Sequence, residues 1–173
     1  MTLAHPSHHG RGFSWKRTKH FLAFGDSYTE IQGTAGRQNY TFIGDYLNFS
    51  YNRSELLNNY IVQNQISTAQ GGPNWVEFLT GCGLKPGLNA PKTCDIQLWD
   101  FAYGGADISE EYLPLHHNHT VMLDEQVRQF LTYGEPVLSE FVDKEKSLVA
   151  FWIGINDMFV CHTALSPHKY LDH

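Results

Sequence analysis

Three short apolar runs organise the pattern of this chain. They occupy residues 20–25, 97–102 and 147–153, and each ends at a glycine or within two residues of one. An apolar run of this length that stops at a turn residue is typical of a buried strand. The pattern therefore predicts three strands, each followed by a tight turn.

Apolar residues at helical spacing lie between the predicted strands. Asn74, followed by apolar positions at 75, 76, 78 and 79, predicts a capped helix that ends near residues 81–83. A second helix is predicted from the apolar positions between Met122 and Leu131, and it should stop at residues 133–136. Strands that alternate with helices predict an α/β fold, a three-layer sandwich with a central parallel sheet.

Length and charge limit the classes of function. A chain of 173 residues predicts one domain. Its formal net charge of −6 excludes the basic footprint of a nucleic-acid-binding protein. Its hydrophobic content of 42% supports a folded core, and no apolar stretch reaches the ~20 residues of a membrane helix. We expect a monomer with no nucleic-acid or membrane partner.

The compartment signals disagree. Residues 1–20 contain no apolar run of the kind found in signal peptides. Four glycosylation acceptor tripeptides nevertheless suit a secreted glycoprotein, and they begin at Asn39, Asn48, Asn52 and Asn118. We expect secretion.

The cysteines admit two interpretations. Cys82 and Cys94 bracket a loop rich in glycine and proline that a disulfide could close. Two free thiols fit the sequence equally well, and Cys161 has no obvious partner.

Polar residues follow each predicted strand, where ligands bind in parallel sheets. Ser27 follows the first strand on a tight turn, a position that exposes a nucleophilic hydroxyl. A glycine pair follows the second strand and Asn156 the third, and both can donate hydrogen bonds to an oxyanion. Each motif alone is typical of an ordinary turn or helix cap, but the ordered combination predicts a serine esterase. Asp26 is expected to anchor the serine turn and Asp157 to cap a helix.

These segments resemble the SGNH (GDSL-type) hydrolases, in the blocks at residues 24–29, 100–106 and 154–157. The chain is also similar to the fungal acetylesterases of the carbohydrate esterase class, a likeness carried by residues 71–81, 97–102, 113–118 and 150–157. The resemblance covers roughly residues 13 to 158 and implies a flavodoxin-like sandwich.

The resemblance implies a role for three residues. Ser27 would be the nucleophile that forms an acyl-enzyme, and it would also donate its backbone N–H to the oxyanion. Gly105 would donate a second N–H, with Gly104 as the alternative, and the Asn156 side chain would be the third donor. The implied substrate is a small-molecule or oligosaccharide acetyl ester, and no cofactor is expected.

The resemblance also implies a catalytic histidine three residues after an aspartate. No Asp-x-x-His occurs in the 173 residues. We therefore expect a partial hydrolase domain over residues 19–158, incomplete at its C-terminus, after a mobile segment at 1–18. Residues 159–173 are interpreted as a divergent tail, on the hypothesis of a gene-model artefact. Two alternatives remain, a non-catalytic carbohydrate-binding relic and an inactive truncated fragment with an exposed sheet edge.

Two sets of side chains suggest other chemistry but have simpler interpretations. A histidine cluster could indicate a metal, but no cysteine or carboxylate lies near it at ligand spacing, so no metal is expected and a structural or substrate-side role is favoured. It comprises His116, His117 and His119. Trp75, Trp99 and Trp152 lie within helix or strand patterns, which favours core packing over stacking on sugar rings.

Overall fold

A computed structural model describes residues 13–31, 52–58, 62–63, 71–84, 88–115 and 120–164. The strands are β1 (His20–Gly25), β2 (Val62–Gln63), β3 (Leu88–Asn89), β4 (Gln97–Asp100) and β5 (Ser147–Trp152). The α-helices are α1 (Arg53–Asn58), α2 (Trp75–Thr80), α3 (Leu123–Gln129), α4 (Glu135–Leu138) and α5 (Ile155–Ala164). Short 3-10 turns cover Trp15–Arg17, Pro91–Thr93 and Lys144–Lys146, and a π-helical segment covers Phe130–Gly134.

The main sheet has β1 at its centre, with β4 and β5 on either side and parallel to it. His20 of β1 pairs with both Gln97 and Ser147, so all three strands start at the same level. This arrangement confirms the three predicted strands and the α/β class with a central parallel sheet. A separate antiparallel pair is formed by β2 and β3.

Both faces of β1 are buried, as a central parallel strand requires. Successive side chains of a strand point to opposite faces, and β1 accordingly contributes to two core clusters. Leu22 and Phe24 pack on one face with Trp99, and Phe21 and Ala23 pack on the other. Residues of α4 join the first cluster and residues of α2 the second, so helices cover opposite faces of the sheet.

The α2 helix begins and ends as the sequence predicts. The Asn74 side chain accepts hydrogen bonds from the N–H groups of Val76 and Glu77, and the Glu77 carboxylate accepts the Asn74 N–H at 2.9 Å. This reciprocal pair is a capping box. Gly81 closes the helix in the left-handed conformation.

The second predicted helix extends further than expected. It does not stop at residues 133–136, because α3 continues through the π-helical segment into α4. Pro136 lies in the first turn of α4, directly after the π-helical segment, where the Glu135 N–H donates to the Phe130 carbonyl five residues earlier. The wider π turn before it changes the hydrogen-bond register, so the helix passes the proline instead of ending there.

The edge strand β5 is more exposed than its apolar sequence predicts. Trp152 was expected in the core, but 56% of it is exposed, as is 56% of Phe151. Among the described residues, only β1 pairs with β5, so one side of this strand lacks a neighbour. The other two tryptophans agree better with the prediction, since Trp99 is fully buried and Trp75 is partly buried.

Cys82 and Cys94 form a disulfide, which decides between the two interpretations left open by the sequence.

The last helix, α5, runs to Ala164, past the domain boundary expected at Met158. None of the helices in the described part of the chain is long and apolar enough to cross a membrane.

Candidate active site

The predicted nucleophile lies in the turn that directly follows β1. Ser27 is partly buried there, at the carboxyl end of the central strand. The Asp26 carboxylate accepts the N–H of Tyr28 at 3.0 Å. The backbone carbonyl of Asp26 accepts the N–H groups of Thr29 and Glu30 at 3.0 and 3.1 Å. Asp26 therefore anchors the turn, as the sequence predicts.

Gly25 allows β1 and β5 to approach closely just before the serine. It has a φ of +148°, and a Cβ at this position would lie 1.9 Å from the carbonyl oxygen of Trp152. That carbonyl also accepts the Asp26 N–H at 3.3 Å. A side chain at residue 25 would force the serine turn away from β5.

A buried glutamine from α3 holds the same glycine. The Gln126 side chain accepts the Gly25 N–H at 3.0 Å and donates to the Gly25 carbonyl at 2.8 Å. Its amide nitrogen also donates to the Val121 carbonyl at 3.0 Å. Sequence reasoning treated Gln126 only as part of a helical pattern. The available signal was a polar residue on the face of the helix that apolar residues otherwise occupy.

The glycine pair after β4 contacts the serine turn. The N–H of Gly104 donates to the Glu30 carboxyl group at 2.7 Å, and a Cβ at Gly104 would lie 2.7 Å from the same carboxyl group. Gly105 follows with a φ of +77°, which favours glycine. Burial raises the pKa of Glu30 to about 8, despite the opposing effect of the Gly104 N–H. Sequence reasoning gave no role to Glu30.

Asn156 lies in the first turn of α5 and contacts the loop after β4. Its Nδ2 donates to the Ala106 carbonyl at 2.9 Å, and the amide nitrogen has a second N–H for another acceptor. Asp157 differs from the prediction, because its carboxylate accepts the Ile108 N–H at 3.1 Å instead of capping α5. Both side chains therefore attach the start of α5 to the segment that contains the glycine pair.

Hydrogen bonds join all three strand-end segments. The Tyr103 N–H donates to the Gly25 carbonyl at 3.0 Å, which connects the glycine-pair segment to the serine turn. The contacts from Asp26 to β5 and from Asn156 to Ala106 complete the connections. The structure thus brings the segments that carry Ser27, Gly105 and Asn156 together at one edge of the sheet.

Buried carboxyl groups surround this edge. Asp100 ends β4, is fully buried, and accepts the Ala102 N–H at 2.9 Å. Desolvation raises its pKa well above the ordinary value, and the charges of Glu30 and Glu77 raise it further. Burial also raises the pKa of Asp26, with a smaller contribution from the charge of Asp157. Each of these acids is thereby less ionised at a given pH than an exposed carboxyl group.

The histidine cluster that could indicate a metal lies outside the described residues. It comprises His116, His117 and His119. Within the ranges that the structure describes, no three or more histidine, cysteine or acidic side chains are grouped so that they could hold a metal ion.

Comparison with known proteins identifies relatives of the chain. Residues 21–170 match the model of a family described as GDSL-like Lipase/Acylhydrolase. An acetylesterase of Thermothelomyces thermophilus is 28% identical over 147 residues, which cover 82% of this chain and 40% of that protein. The chain therefore spans less than half the length of this relative. No solved structure is significantly similar to the chain.

Proposed function

Because the chain belongs to the GDSL-like lipase/acylhydrolase family, we propose that it carries the nucleophile and oxyanion donors of a serine-dependent acetylesterase. The family is the one that the strand-end motifs predict. The observation that carries the proposal is the hydrogen-bonded junction of the three segments that contain Ser27, Gly105 and Asn156. The acetyl preference is supported by the relative named as an acetylesterase. The preference for small O-acetylated carbohydrates rests on the resemblance of the motifs.

The proposed reaction begins when the Ser27 hydroxyl oxygen attacks the ester carbonyl carbon. A new carbon–oxygen bond forms, and the carbonyl π electrons move to the oxygen, which becomes an oxyanion. The donors to this oxyanion are the N–H groups of Ser27 and Gly105 and the amide of Asn156, and losing one such donor typically costs ~3 kcal/mol. Collapse of the intermediate expels the alcohol and leaves an acyl group on Ser27. Water then attacks the acyl group and releases the acid.

The backbone contacts favour Gly105 over Gly104 as the glycine donor. The Gly104 N–H already donates to Glu30 at 2.7 Å. A single N–H that is engaged in a short hydrogen bond to a buried carboxyl group is a poor donor to a second acceptor. Gly105 is one residue further along the same turn.

The proton of Ser27 needs an acceptor for efficient acylation. The 173 residues contain no Asp-x-x-His, and we assign no side chain of this chain to that role. In the proposed reaction of this chain, solvent takes the serine proton and supplies the proton to the departing alcohol. Acylation is then slow and accelerates with pH, because hydroxide is the stronger base.

The disulfide between Cys82 and Cys94 supports secretion, because disulfides persist in oxidising compartments. The acceptor tripeptide at Asn52 is exposed, with Asn52 directly before α1 and Arg53 and Ser54 in its first turn. The other three acceptor asparagines lie outside the described residues.

The test compares hydrolysis of 4-nitrophenyl acetate by the wild-type chain, Ser27→Ala and Ser139→Ala. Ser139 is an exposed serine directly after α4 and serves as the matched control. We expect acetyl transfer to Ser27, detected by mass spectrometry, and a rate that is lost in Ser27→Ala but kept in Ser139→Ala. Equal rates in all three proteins would contradict the proposal. Retained binding of an acetylated sugar would then favour the carbohydrate-binding alternative.

A further inference from the structure

A buried glutamate connects the serine turn to the glycine pair. Glu30 lies three residues after Ser27 and is only 2% exposed. Its carboxyl group accepts the N–H of Gly104 at 2.7 Å, across a separation of 74 residues in the chain. A buried long-range contact of this kind fixes the relative position of two loops that the backbone hydrogen bond from Tyr103 to Gly25 also joins.

The backbone of Glu30 is itself held from two sides. Its N–H donates to the Asp26 carbonyl at 3.1 Å. Its carbonyl accepts from the Asn74 side chain at 2.8 Å, and the same amide nitrogen donates to the Thr29 carbonyl at 2.7 Å. Asn74 is the buried N-cap of α2, so the serine turn is attached to the start of a helix. Glu30 therefore has little freedom to move with respect to Ser27.

The glycine turn is equally constrained around the Glu30 carboxyl group. A Cβ on Gly104 would lie 2.7 and 2.9 Å from its two oxygens, so the backbone approaches the carboxyl group as closely as glycine permits. The next residue, Gly105, has the positive φ that turns the chain immediately after this contact. The direction of the Gly105 N–H is therefore set one residue away from the Glu30 contact.

We propose that Glu30 is a positioning residue that fixes the Gly104–Gly105 turn so that the Gly105 N–H is aimed at the oxyanion formed on Ser27. This inference rests on the proposed function and assigns a residue that acts through the glycine turn without touching substrate. The Glu30 side chain occupies the Gly104 N–H and thereby leaves the Gly105 N–H for the reaction.

A role for Glu30 as the base for Ser27 is less consistent with its environment. Burial raises the pKa of Glu30 to about 8, so the carboxyl group holds its own proton at neutral pH. The charge of Asp26 acts in the same direction, because it also raises the pKa of Glu30. A neutral carboxyl group still accepts an N–H through its carbonyl oxygen, which is what positioning requires.

The experiment measures phosphonylation of Ser27 by an alkyl fluorophosphonate, followed by intact-mass spectrometry. The serine oxygen forms a bond to phosphorus, the phosphorus–fluorine bond breaks, and fluoride and the serine proton are released to water. The phosphonyl oxygen takes the place of the oxyanion, so the reaction depends on the donors without needing acyl-enzyme turnover. The variants are Ser27→Ala, Glu30→Gln and Glu30→Ala. Glu77→Gln is the matched control, because Glu77 is also a buried carboxyl group with a raised pKa.

We expect no label on Ser27→Ala and near-wild-type labelling of Glu30→Gln and Glu77→Gln at neutral pH. Glu30→Ala should lower the maximal labelling rate at least about tenfold while the half-saturating concentration of the probe changes little, because misplaced donors slow the chemical step more than binding. Circular dichroism confirms that each variant is folded at the assay temperature. Where Glu30→Ala fails to fold, the pH dependence of Glu30→Gln is decisive.

The pH dependence distinguishes a positioning role from a purely structural one. Ionisation of Glu30 places a charge beside the donor turn, so the ratio of wild-type to Glu30→Gln rates should fall above about pH 8, and Glu77→Gln should follow the wild type. A flat ratio between about pH 6 and 9.5, or a folded Glu30→Ala that labels Ser27 at the wild-type rate, would overturn this inference alone. Equal labelling of Ser27→Ala and wild type would instead overturn the proposed function and the inference that rests on it.

Discussion

Replacing Gln126 with methionine tests how the serine turn is held. The substitution keeps most of the side-chain volume but removes both hydrogen bonds to Gly25 and the one to Val121. The Gly25 carbonyl keeps its hydrogen bond from Tyr103, whereas the Gly25 N–H and the Val121 carbonyl lose the partner described here. Leaving a buried polar group without a partner costs about 1–3 kcal/mol, so we expect Gln126→Met to destabilise the fold by about 2–6 kcal/mol.

Gln129 provides a matched control on the same helix. It is also buried, but its side chain makes one described hydrogen bond, in which its carbonyl oxygen accepts the Tyr133 hydroxyl at 2.8 Å. Its amide nitrogen has no described partner, so replacement by methionine also removes an unpaired polar group. The net cost of Gln129→Met should therefore be about 1 kcal/mol or less.

The free energies of unfolding are measured in urea by circular dichroism, with the slope checked for constancy among the variants. The labelling rate of Ser27 is measured in the same proteins, well below the unfolding midpoint. Gln126→Met should lose more stability and more Ser27 reactivity than Gln129→Met. Equal losses in the two variants would show that the effect comes from removing a buried amide and not from releasing Gly25.

Three further predictions concern pH, the disulfide and the oxyanion donors. Burial raises the pKa of Glu77 to about 7 and that of Glu30 to about 8, so the folded state retains protons that the unfolded chain releases, and the contribution of these two groups to the free energy of unfolding should fall as the pH rises from about 4.5 to about 8. Urea titrations across this range should therefore show a fall with pH that is shallower in Glu30→Gln than in the wild type. Cys94→Ser should lower the free energy of unfolding by about 3 kcal/mol, because the disulfide to Cys82 closes a loop with a sequence separation of 12. A reductant should lower the urea midpoint of the wild type and leave that of the variant unchanged. Asn156→Ala should slow labelling of Ser27 about a hundredfold if its amide is an oxyanion donor, and an unchanged rate would remove it from that role.

The sequence predicts the elements whose signals are local. The runs that form β1, β4 and β5 are short, apolar and stopped by turns, and the cap at Asn74 lies beside the helix it starts. The contacts that support the site join residues that are far apart in the sequence. Gln126 contacts Gly25 across 101 residues, and Glu30 contacts Gly104 across 74. A polar residue in an apolar pattern indicates a buried partner, but the identity of that partner depends on the tertiary fold.

The errors in the prediction have a related cause. The apolar run that forms β5 predicts burial of Trp152, but its exposure depends on whether another element covers that side of the strand. The helix at residue 136 is a similar case. Pro136 predicts the end of a helix, but the π turn before it changes the hydrogen-bond register and the helix continues. In both places the local preference is present in the sequence, and the neighbouring structure decides the outcome.

The acids around the site carry less negative charge at a given pH than their number alone would indicate. Asp26, Glu30 and Asp100 lie at the edge of the sheet where an oxyanion would form, in a chain whose formal net charge is −6. Burial raises the pKa of all three, so at a given pH they place less negative charge near the region where the reaction would create an oxyanion than exposed carboxyl groups would. On the proposed mechanism, ionising Glu30 adds a charge next to the Gly104 N–H and opposes the oxyanion. The carboxyl group that positions the glycine turn would thus also reduce the increase of Ser27 reactivity with pH above about pH 8.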